Sequence, residues 1–179
     1  MNVRGRSALL VPLLLLTTAC GIPGLGDEAD GDDAETALLA QRDDVAATAE
    51  TLVAATQEAV GGEVVETQGG WEGCTSIFPE GYADFQYAAR VQLRAPGSPE
   101  RLVDQLQEAA DASGLEVVET RPEGVEVRDG DVTALLRDLP AVNEQGDVTI
   151  QLVADPCVDV PRDDWEAWMS REDPGPDVG

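Results

Sequence analysis

One segment of the chain alternates strictly between apolar and polar side chains. Within Ala83 to Ala95, every second residue from Phe85 to Leu93 is apolar, and glutamines and arginines occupy most of the positions between them. Successive side chains of a strand point to opposite faces, so this pattern predicts a strand with one buried and one solvated face. Such strands are typical of antiparallel sheets that cover a core on one side only.

Two other segments have helical periodicity. Thr36 to Val60 carries a thin, alanine-rich apolar stripe and is followed by Gly61-Gly62, a common helix stop. Ser98 to Ser113 starts with a capping serine and Pro99, and its apolar residues fall on one face before Gly114. Both segments are therefore predicted to be helices.

Short runs rich in valine and leucine predict the remaining strands. Asp129-Gly130 is a strong signal for a hairpin turn between two of them. The predicted runs are 63–67, 115–120, 124–128, 131–137 and 148–154. The order helix, strand, strand, helix and then a run of strands is typical of an α+β domain. We expect a single antiparallel sheet of about five strands, with two helices packed on one face.

The first twenty residues are organised as a secretory signal peptide. Arg4 and Arg6 precede an apolar run over 8–16, and the small residues 17–19 then lead to Cys20. The apolar run is shorter than the roughly 20 residues that a transmembrane helix needs. These observations predict export of the chain and removal of the leader.

The segment Leu16 to Cys20 resembles the lipobox of bacterial lipoproteins, in which an aliphatic residue and two small residues precede a cysteine. Leu16 stands one place early, and Thr17 occupies the aliphatic position. The resemblance implies that Cys20 receives a diacylglyceryl group and becomes the first residue of the mature chain. That lipid would tether the protein to the extracytoplasmic face of the cell membrane. The alternative is an ordinary secretory signal in which Cys20 is incidental.

The net charge excludes one class of partner. The chain has 36 acidic residues, 11 arginines and no lysine or histidine, for a formal charge of −25. The leader holds two of the arginines and no acid, so the mature chain carries −27. Such a surface repels nucleic acid and keeps the domain away from a negative membrane face. Arginine without lysine, together with the lipobox, resembles an actinobacterial lipoprotein.

Composition also sets the expected boundaries along the chain. Residues 1–19 are the cleaved signal peptide, and 20–35, rich in glycine and acidic residues, are a lipidated tether. The α+β domain is expected over 36–170. Residues 171–179 are polar, contain proline and glycine, and are expected to be a mobile tail.

Cys74 and Cys157 remain once Cys20 is assigned to the anchor. An even pair of cysteines in an exported chain predicts a disulfide bond. Metal binding would need further cysteine or histidine ligands, and a catalytic thiol would need a histidine; the sequence supplies neither. We therefore expect a Cys74–Cys157 disulfide, no metal and no cofactor.

Three residues near the C-terminus are candidates for contact with a partner. Trp165, Trp168 and Met169 share one face of a short predicted helix, which Asp163 or Asp164 caps. Aromatic side chains and methionine are enriched at protein interfaces. We expect these three side chains to be exposed and to contact another envelope protein.

Trp71 and Phe78 are predicted to lie on a loop over 69–80. Large apolar side chains on a loop usually cover the edge of a core, which is the interpretation we favour. The other interpretation places both residues at the mouth of a ligand cavity.

Functional chemistry is sparse in this sequence. A serine nucleophile lacks its usual activating base, because histidine and lysine are absent, and no nucleotide-binding loop occurs. We therefore predict a lipid-anchored extracytoplasmic module that is not an enzyme and that binds another protein. One alternative is a carrier of an apolar small molecule or lipid, with Trp71 and Phe78 at its mouth. Another is an enzyme that uses carboxylates alone.

A second, fainter resemblance involves two short motifs. WEGC at 71–74 and DPC at 155–157 are similar to motifs of the LppA-like mycobacterial lipoproteins. Members of that group have no assigned function, so the resemblance implies a class of protein and no residue roles.

Overall fold

The computed structural model describes residues 31–74, 82–95, 102–138 and 147–178. A 3-10 turn over Arg162–Asp164 precedes the last helix. In chain order the helices and strands are α1 (Gly31–Val60), β1 (Glu63–Gly73), β2 (Tyr82–Arg94), α2 (Leu102–Ser113), β3 (Glu116–Arg121), β4 (Gly124–Asp129), β5 (Val132–Asp138), β6 (Asp147–Ala154), β7 (Val158–Pro161) and α3 (Trp165–Met169). The predicted α+β class is confirmed.

Seven described strands form one antiparallel sheet. Their order is β1-β2-β6-β5-β4-β3, and β7 pairs with the N-terminal part of β2. The single antiparallel sheet is confirmed, but the expected number of about five strands is wrong. β7 has only four residues, too few to show a period of two, and β1 continues to Gly73 through the glycines that indicated a loop.

α1 begins five residues earlier than expected, at Gly31. Asp32 and Asp33 lie in its first turn, where negative side chains interact favourably with the helix dipole. Residues 31–35, assigned to the tether on composition, are therefore helical. Ten residues of α1 are buried along its length, which is the pattern of a helix packed along its whole length and not of a free stalk.

The core combines the alternate residues of the strands with the apolar faces of the helices. α1 contacts α2, β2 and β6, while α2 contacts β4. Burial of each large aliphatic side chain contributes about 1.5–3 kcal/mol to the stability of such a core. Its largest fully buried members include Phe85, Tyr87, Val91 and Leu93 of β2, Ile150 and Leu152 of β6, Leu136 of β5, Leu38, Val45 and Leu52 of α1, and Leu106 of α2.

The residues between these buried positions form the second face of the sheet, called here the polar face. On the central strands it carries arginine, glutamine, threonine and aspartate side chains with a few small or apolar ones. Its central positions are Gln86, Ala88, Arg90 and Gln92 of β2, Thr149, Gln151 and Val153 of β6, and Thr133, Leu135 and Arg137 of β5.

β2 changes partner in the middle of the sheet. Its C-terminal half pairs with β6 up to Ala88, and its N-terminal end pairs with β7 from Phe85. The Tyr87 N–H falls in the gap between the two partners. It donates a hydrogen bond to Oε1 of Gln41 on α1, at 3.1 Å. Nε2 of the same carboxamide donates to the Pro156 carbonyl at 2.6 Å, in the connection between β6 and β7. The Gln41 side chain thus forms the two hydrogen bonds that a neighbouring strand would otherwise have formed.

The disulfide joins elements that flank β2. Cys74 follows β1, Cys157 lies between β6 and β7, and their Sγ atoms are 2.13 Å apart. The bond passes near the polar face, where Sγ of Cys157 is 3.6 Å from Oε1 of Gln86. The structure therefore contains the pairing expected from the cysteine count. Closing a loop of this length stabilises a fold by roughly 4–5 kcal/mol in the chain-entropy treatment.

Replacing Gln41 with leucine is predicted to destabilise the domain. The Tyr87 N–H and the Pro156 carbonyl would both lose their partner inside the protein, and each buried unpaired group costs about 1–3 kcal/mol. Urea unfolding of Gln41→Leu should show this loss, and hydrogen exchange should show faster exchange of the Tyr87 amide. Gln57→Leu, a half-buried position on the same helix, is the matched control. Equal stabilities of the two variants would contradict the role assigned to Gln41.

Candidate functional site

α3 divides the predicted contact residues into two groups. Trp165 and Met169 are 43% and 51% exposed, and their spacing of four places them on one side of the helix. Trp168 points the other way and is only 7% exposed. The structure thus leaves two of the three candidates on the surface, called here the α3 patch, and buries the third. Because Trp168 packs into the core, only Trp165 and Met169 remain on the exposed side of this short helix.

The buried side of α3 packs into an aromatic cluster of Trp71, Tyr87 and Trp168. The Trp71 ring lies edge-to-face with Tyr87 at a centroid distance of 5.3 Å and with Trp168 at 5.1 Å. Trp71 lies on β1, so its predicted position on a loop is wrong, but at 6% exposed it is buried as the favoured interpretation expected. Such pairs add about 0.5–1.5 kcal/mol beyond the burial of their area. α3 is therefore held firmly against β1.

Arg171 covers the two indoles of this cluster. Its guanidinium carbon is 5.0 Å from the Trp71 ring centroid and 4.7 Å from that of Trp168. Nη1 also forms an ion pair with Glu35 of α1 at 3.2 Å. The cluster therefore already has a cation on its rings, supplied by the chain itself. In this arrangement Arg171 attaches the C-terminal segment to α1 and β1.

The segment after α3, expected to be a mobile tail, makes several polar contacts. The Asp173 carboxylate accepts hydrogen bonds from the Tyr87 hydroxyl at 2.8 Å and the Gly175 N–H at 2.8 Å. It also pairs with Nε of Arg42 on α1, at 2.9 Å. Burial raises the pKa of the Tyr87 phenol above its usual value, and the hydrogen bond to Asp173 raises it further. Tyr87 therefore stays protonated and keeps donating to this carboxylate.

Two glycines allow the segment to lie directly on β1. A Cβ added at Gly69 would lie 2.1 Å from the Tyr87 hydroxyl, and one at Gly175 would lie 2.6 Å from the Gln68 backbone. Gly175 also has a φ of 86°, which favours glycine. The hydroxyl of Thr67 donates to the Pro174 carbonyl at 3.2 Å in the same region. Residues 173–178 thus cover part of the outer edge of β1.

A pair of carboxylates lies beside the disulfide, where β2 meets β7. Asp84 and Asp159 are directly opposite each other in the strand register. The hydrogen bond with Asp84 raises the pKa of Asp159, and burial and the negative charge of Asp84 act in the same direction. The folded protein therefore favours the protonated form of Asp159 more than an isolated aspartate would.

Other predicted site residues lie outside the part of the chain that the structure describes. Cys20 and Phe78 belong to this group. Within the described ranges, no three side chains of the metal-binding types are grouped to hold an ion. None of the helices in those ranges has the length and apolarity to cross a bilayer.

Comparison with known proteins adds no assignment. No protein-family model, curated protein or solved structure matches this chain.

Sequence reasoning missed Gln41, Asp173 and Arg171, which hold the C-terminal part of the chain in place. Each acts on residues far away in sequence, such as Pro156, Tyr87 and Trp71. The Gly69-Gly70 pair inside a strand was the one available signal, because such glycines often mark a close approach of another backbone. Asp163 and Asp164, the predicted caps of α3, make no side-chain capping hydrogen bond; Asp164 occupies the cap position.

The carboxylate pair generates a pH prediction. A raised pKa in the folded state means that the folded chain binds this proton more tightly than the unfolded chain does. The stability contributed by the proton on Asp159 is therefore complete below the usual aspartate pKa of about 3.9. It is lost as pH rises through the raised value. Asp159→Asn removes the repulsion, so we expect it to stabilise the protein at neutral pH and to lose this advantage in acid.

Urea unfolding at pH 7 and at pH 3.5–4 measures this difference. Asp163→Asn is the control, because it removes the same charge from an exposed position away from the pair. The interpretation fails if both variants change stability equally at each pH.

Proposed function

We propose that this protein is a lipid-anchored, extracytoplasmic, non-catalytic module that binds another protein of the cell envelope through the α3 patch. The observation that carries the proposal is the exposure of Trp165 and Met169 on a helix whose opposite side is fixed in the core by Trp168. A rigid base reduces the entropy that an interface residue loses on binding. Tryptophan is also among the residues that contribute most to interface affinity.

The surroundings of the α3 patch indicate the kind of partner. Asp163, Asp164, Glu166 and Glu172 are exposed and close in sequence to the two apolar side chains. An apolar centre with a charged rim is the usual anatomy of a specific interface. The complementary partner would offer an apolar pocket bordered by basic residues, which would also increase the association rate.

The carrier alternative receives less support from the geometry. It requires Trp71 at the mouth of an apolar cavity, whereas Trp71 packs between Tyr87 and Trp168 with Arg171 over its ring. We also infer that α1 and α2 lie together on one face of the sheet, because their buried leucines share a cluster with the inward strand residues. The space between helices and sheet is then occupied by side chains.

The membrane attachment is proposed from the sequence around Cys20. Ten residues separate Cys20 from the first residue of α1, and a fully extended chain of that length spans at most about 35 Å. The domain would therefore remain within a short distance of the bilayer. α1 carries seven acidic residues and one arginine, so a negatively charged membrane surface would repel its exposed side.

Cys20→Ala tests the anchor. We expect the wild-type protein to enter the detergent phase and to have an intact mass that lacks residues 1–19 and includes a diacylglyceryl group. The variant should lack the lipid mass and should not be processed before residue 20. Thr18→Ala keeps a small residue ahead of the cysteine and should behave like wild type. A wild-type mass without lipid would refute the proposal.

Photo-cross-linking in the native membrane tests the α3 patch. A photoreactive residue at Glu166, which is exposed and adjacent to Trp165 in sequence, should give one discrete protein adduct. The double variant Trp165→Ala, Met169→Ala should reduce its yield about tenfold or more, because truncating an interface hot spot costs about 2 kcal/mol or more. The control probe replaces Val118, an exposed apolar residue of β3. Identical adducts from both probes, or an adduct unaffected by the double variant, would contradict the proposal.

A further inference from the structure

The disulfide joins the two sides of β2 at one point on the polar face, called here the disulfide crossing. Phe85 of β2 pairs with Gly73 of β1 on one side and with Val158 of β7 on the other. Cys74 directly follows Gly73, and Cys157 directly precedes Val158. The bond therefore passes β2 at the level of Phe85, whose own side chain is buried on the opposite face.

Three acidic side chains lie beside the disulfide crossing. Asp84 and Asp159 are opposite each other in the register of β2 with β7. Glu72 is opposite Gln86 in the register of β1 with β2. Asp84 and Gln86 flank Phe85 in sequence, so their side chains lie on the polar face, as the disulfide does. Each of the three carboxylates is thus one position from Phe85 or from one of its two partners.

The described arginines of these strands lie further from the disulfide crossing than the carboxylates do. Arg90 is four residues from Gln86, or about 13 Å at the rise of a strand, and Arg162 is four residues after Val158. Residues 75–81 are outside the described ranges and contain no arginine. In the described part of the chain, no three side chains of the metal-binding types are grouped to hold an ion. The three carboxylates therefore act on the bond through their negative charge.

The electrostatic environment at this point disfavours an additional negative charge. The hydrogen bond with Asp84, burial and the charge of Asp84 all raise the pKa of Asp159. The backbone holds this arrangement in place, because the Cys74 N–H donates a hydrogen bond to the Asp84 carbonyl at 2.9 Å. A thiolate that approaches the disulfide would be another negative charge in the same environment.

Thiol–disulfide exchange brings two such charges to the bond. Cys74 and Cys157 are both half-buried, so part of each residue is exposed to solvent. A thiolate that attacks one Sγ forms a mixed disulfide, and the other Sγ leaves as a thiolate with the electron pair of the broken bond. A second thiolate then attacks the mixed disulfide. This step frees the second cysteine as a thiolate and converts the two reductant molecules into their own disulfide.

We propose that the Cys74–Cys157 disulfide is a charge-selective exchange site, which reacts with small thiols that carry an ammonium group and resists those that carry a carboxylate. The thiolate of an aminothiol has no net charge, and the three carboxylates attract its ammonium group. The thiolate of a carboxylated thiol has two negative charges and is repelled. Access of acidic thiols to this bond is therefore limited by charge as well as by burial.

The net charge of the whole protein must be separated from this local effect. At −25 the chain repels any anionic thiol to some degree. A local effect requires that carboxylates beside the bond act more strongly than equally charged residues on another part of the surface. The disulfide crossing shares no residue with the α3 patch or with Cys20, so failure of this proposal leaves the proposed function intact.

The test measures how fast three thiols reduce the bond in the full-length folded protein. The thiols are cysteamine, 2-mercaptoethanol and 3-mercaptopropionate, and each rate is divided by the rate of the same thiol with bis(2-hydroxyethyl) disulfide. After alkylation and digestion, the loss of the linked Cys74 and Cys157 peptides gives the rate. At low ionic strength the normalised rates should decrease in the order given, by about threefold or more at each step. The differences should shrink at about 1 M salt, where the Debye length is about 3 Å.

Two double variants separate local charge from net charge. Asp84→Asn, Asp159→Asn should accelerate reduction by 3-mercaptopropionate about threefold or more and narrow its difference from cysteamine. Since Asp159→Asn is expected to stabilise the fold at neutral pH, faster reduction would not be due to loosening. Glu50→Gln, Glu58→Gln removes two exposed carboxylates of α1 and is the control, which should keep the wild-type preference.

Four results would overturn the proposal. They are equal normalised rates for the three thiols, rate ratios that do not depend on salt, the same change in both double variants, and a bond that none of the thiols reduces in the folded protein.

Discussion

The architecture depends on how β2 satisfies its backbone over its full length. This strand pairs with β1 on one side and with two different strands on the other. A change of partner leaves a gap in which an N–H would be buried without an acceptor. The free-energy cost of one such group is a large fraction of the net stability of a domain. The carboxamide of Gln41 fills that gap and reaches the Pro156 carbonyl beyond it. α1, β2 and the β6–β7 connection are thereby fixed to one another by a single side chain.

The C-terminal segment depends on the same region through a second set of polar groups. Tyr87 donates its backbone N–H to Gln41 and its hydroxyl to Asp173, so one residue of β2 links α1 to residues 173–175. Arg42, next to Gln41 on α1, pairs with the same Asp173 carboxylate. A buried carboxylate is tolerated here because three donors surround it. These contacts hold α3 and its neighbours against β1, and they explain why Trp165 and Met169 are presented on a fixed surface.

Local patterns were sufficient for most of the elements and insufficient for β7 and for the contacts that join the elements. The alternation in β2, the stripe of α1 and the glycine turn at Gly130 each act over a few residues, and the structure contains the corresponding strand, helix and positive φ. β7 is too short to carry a period, and Trp168 has the same spacing from its neighbours whether it faces the core or solvent. Contacts such as Arg171 with Trp71 join residues a hundred positions apart, and nothing local distinguishes that arginine from an exposed one. For the candidate site, the α3 patch was anticipated in part, whereas the burial of Trp168 against Trp71 depends on the tertiary structure.

The position of β6 at the centre of the sheet has a consequence for when the protein folds. Within the sheet, the β1–β2 pair and the β3–β4–β5 meander are joined through β6, whose residues 147–153 pair with 88–94. Until β6 is in place, β2 and β5 each have an open strand edge. Long-range pairing of this kind is slow to form because the loop entropy is lost before the contacts are gained. A chain that emerges from its N-terminus therefore cannot complete this sheet until residues 147–154 are free to pair.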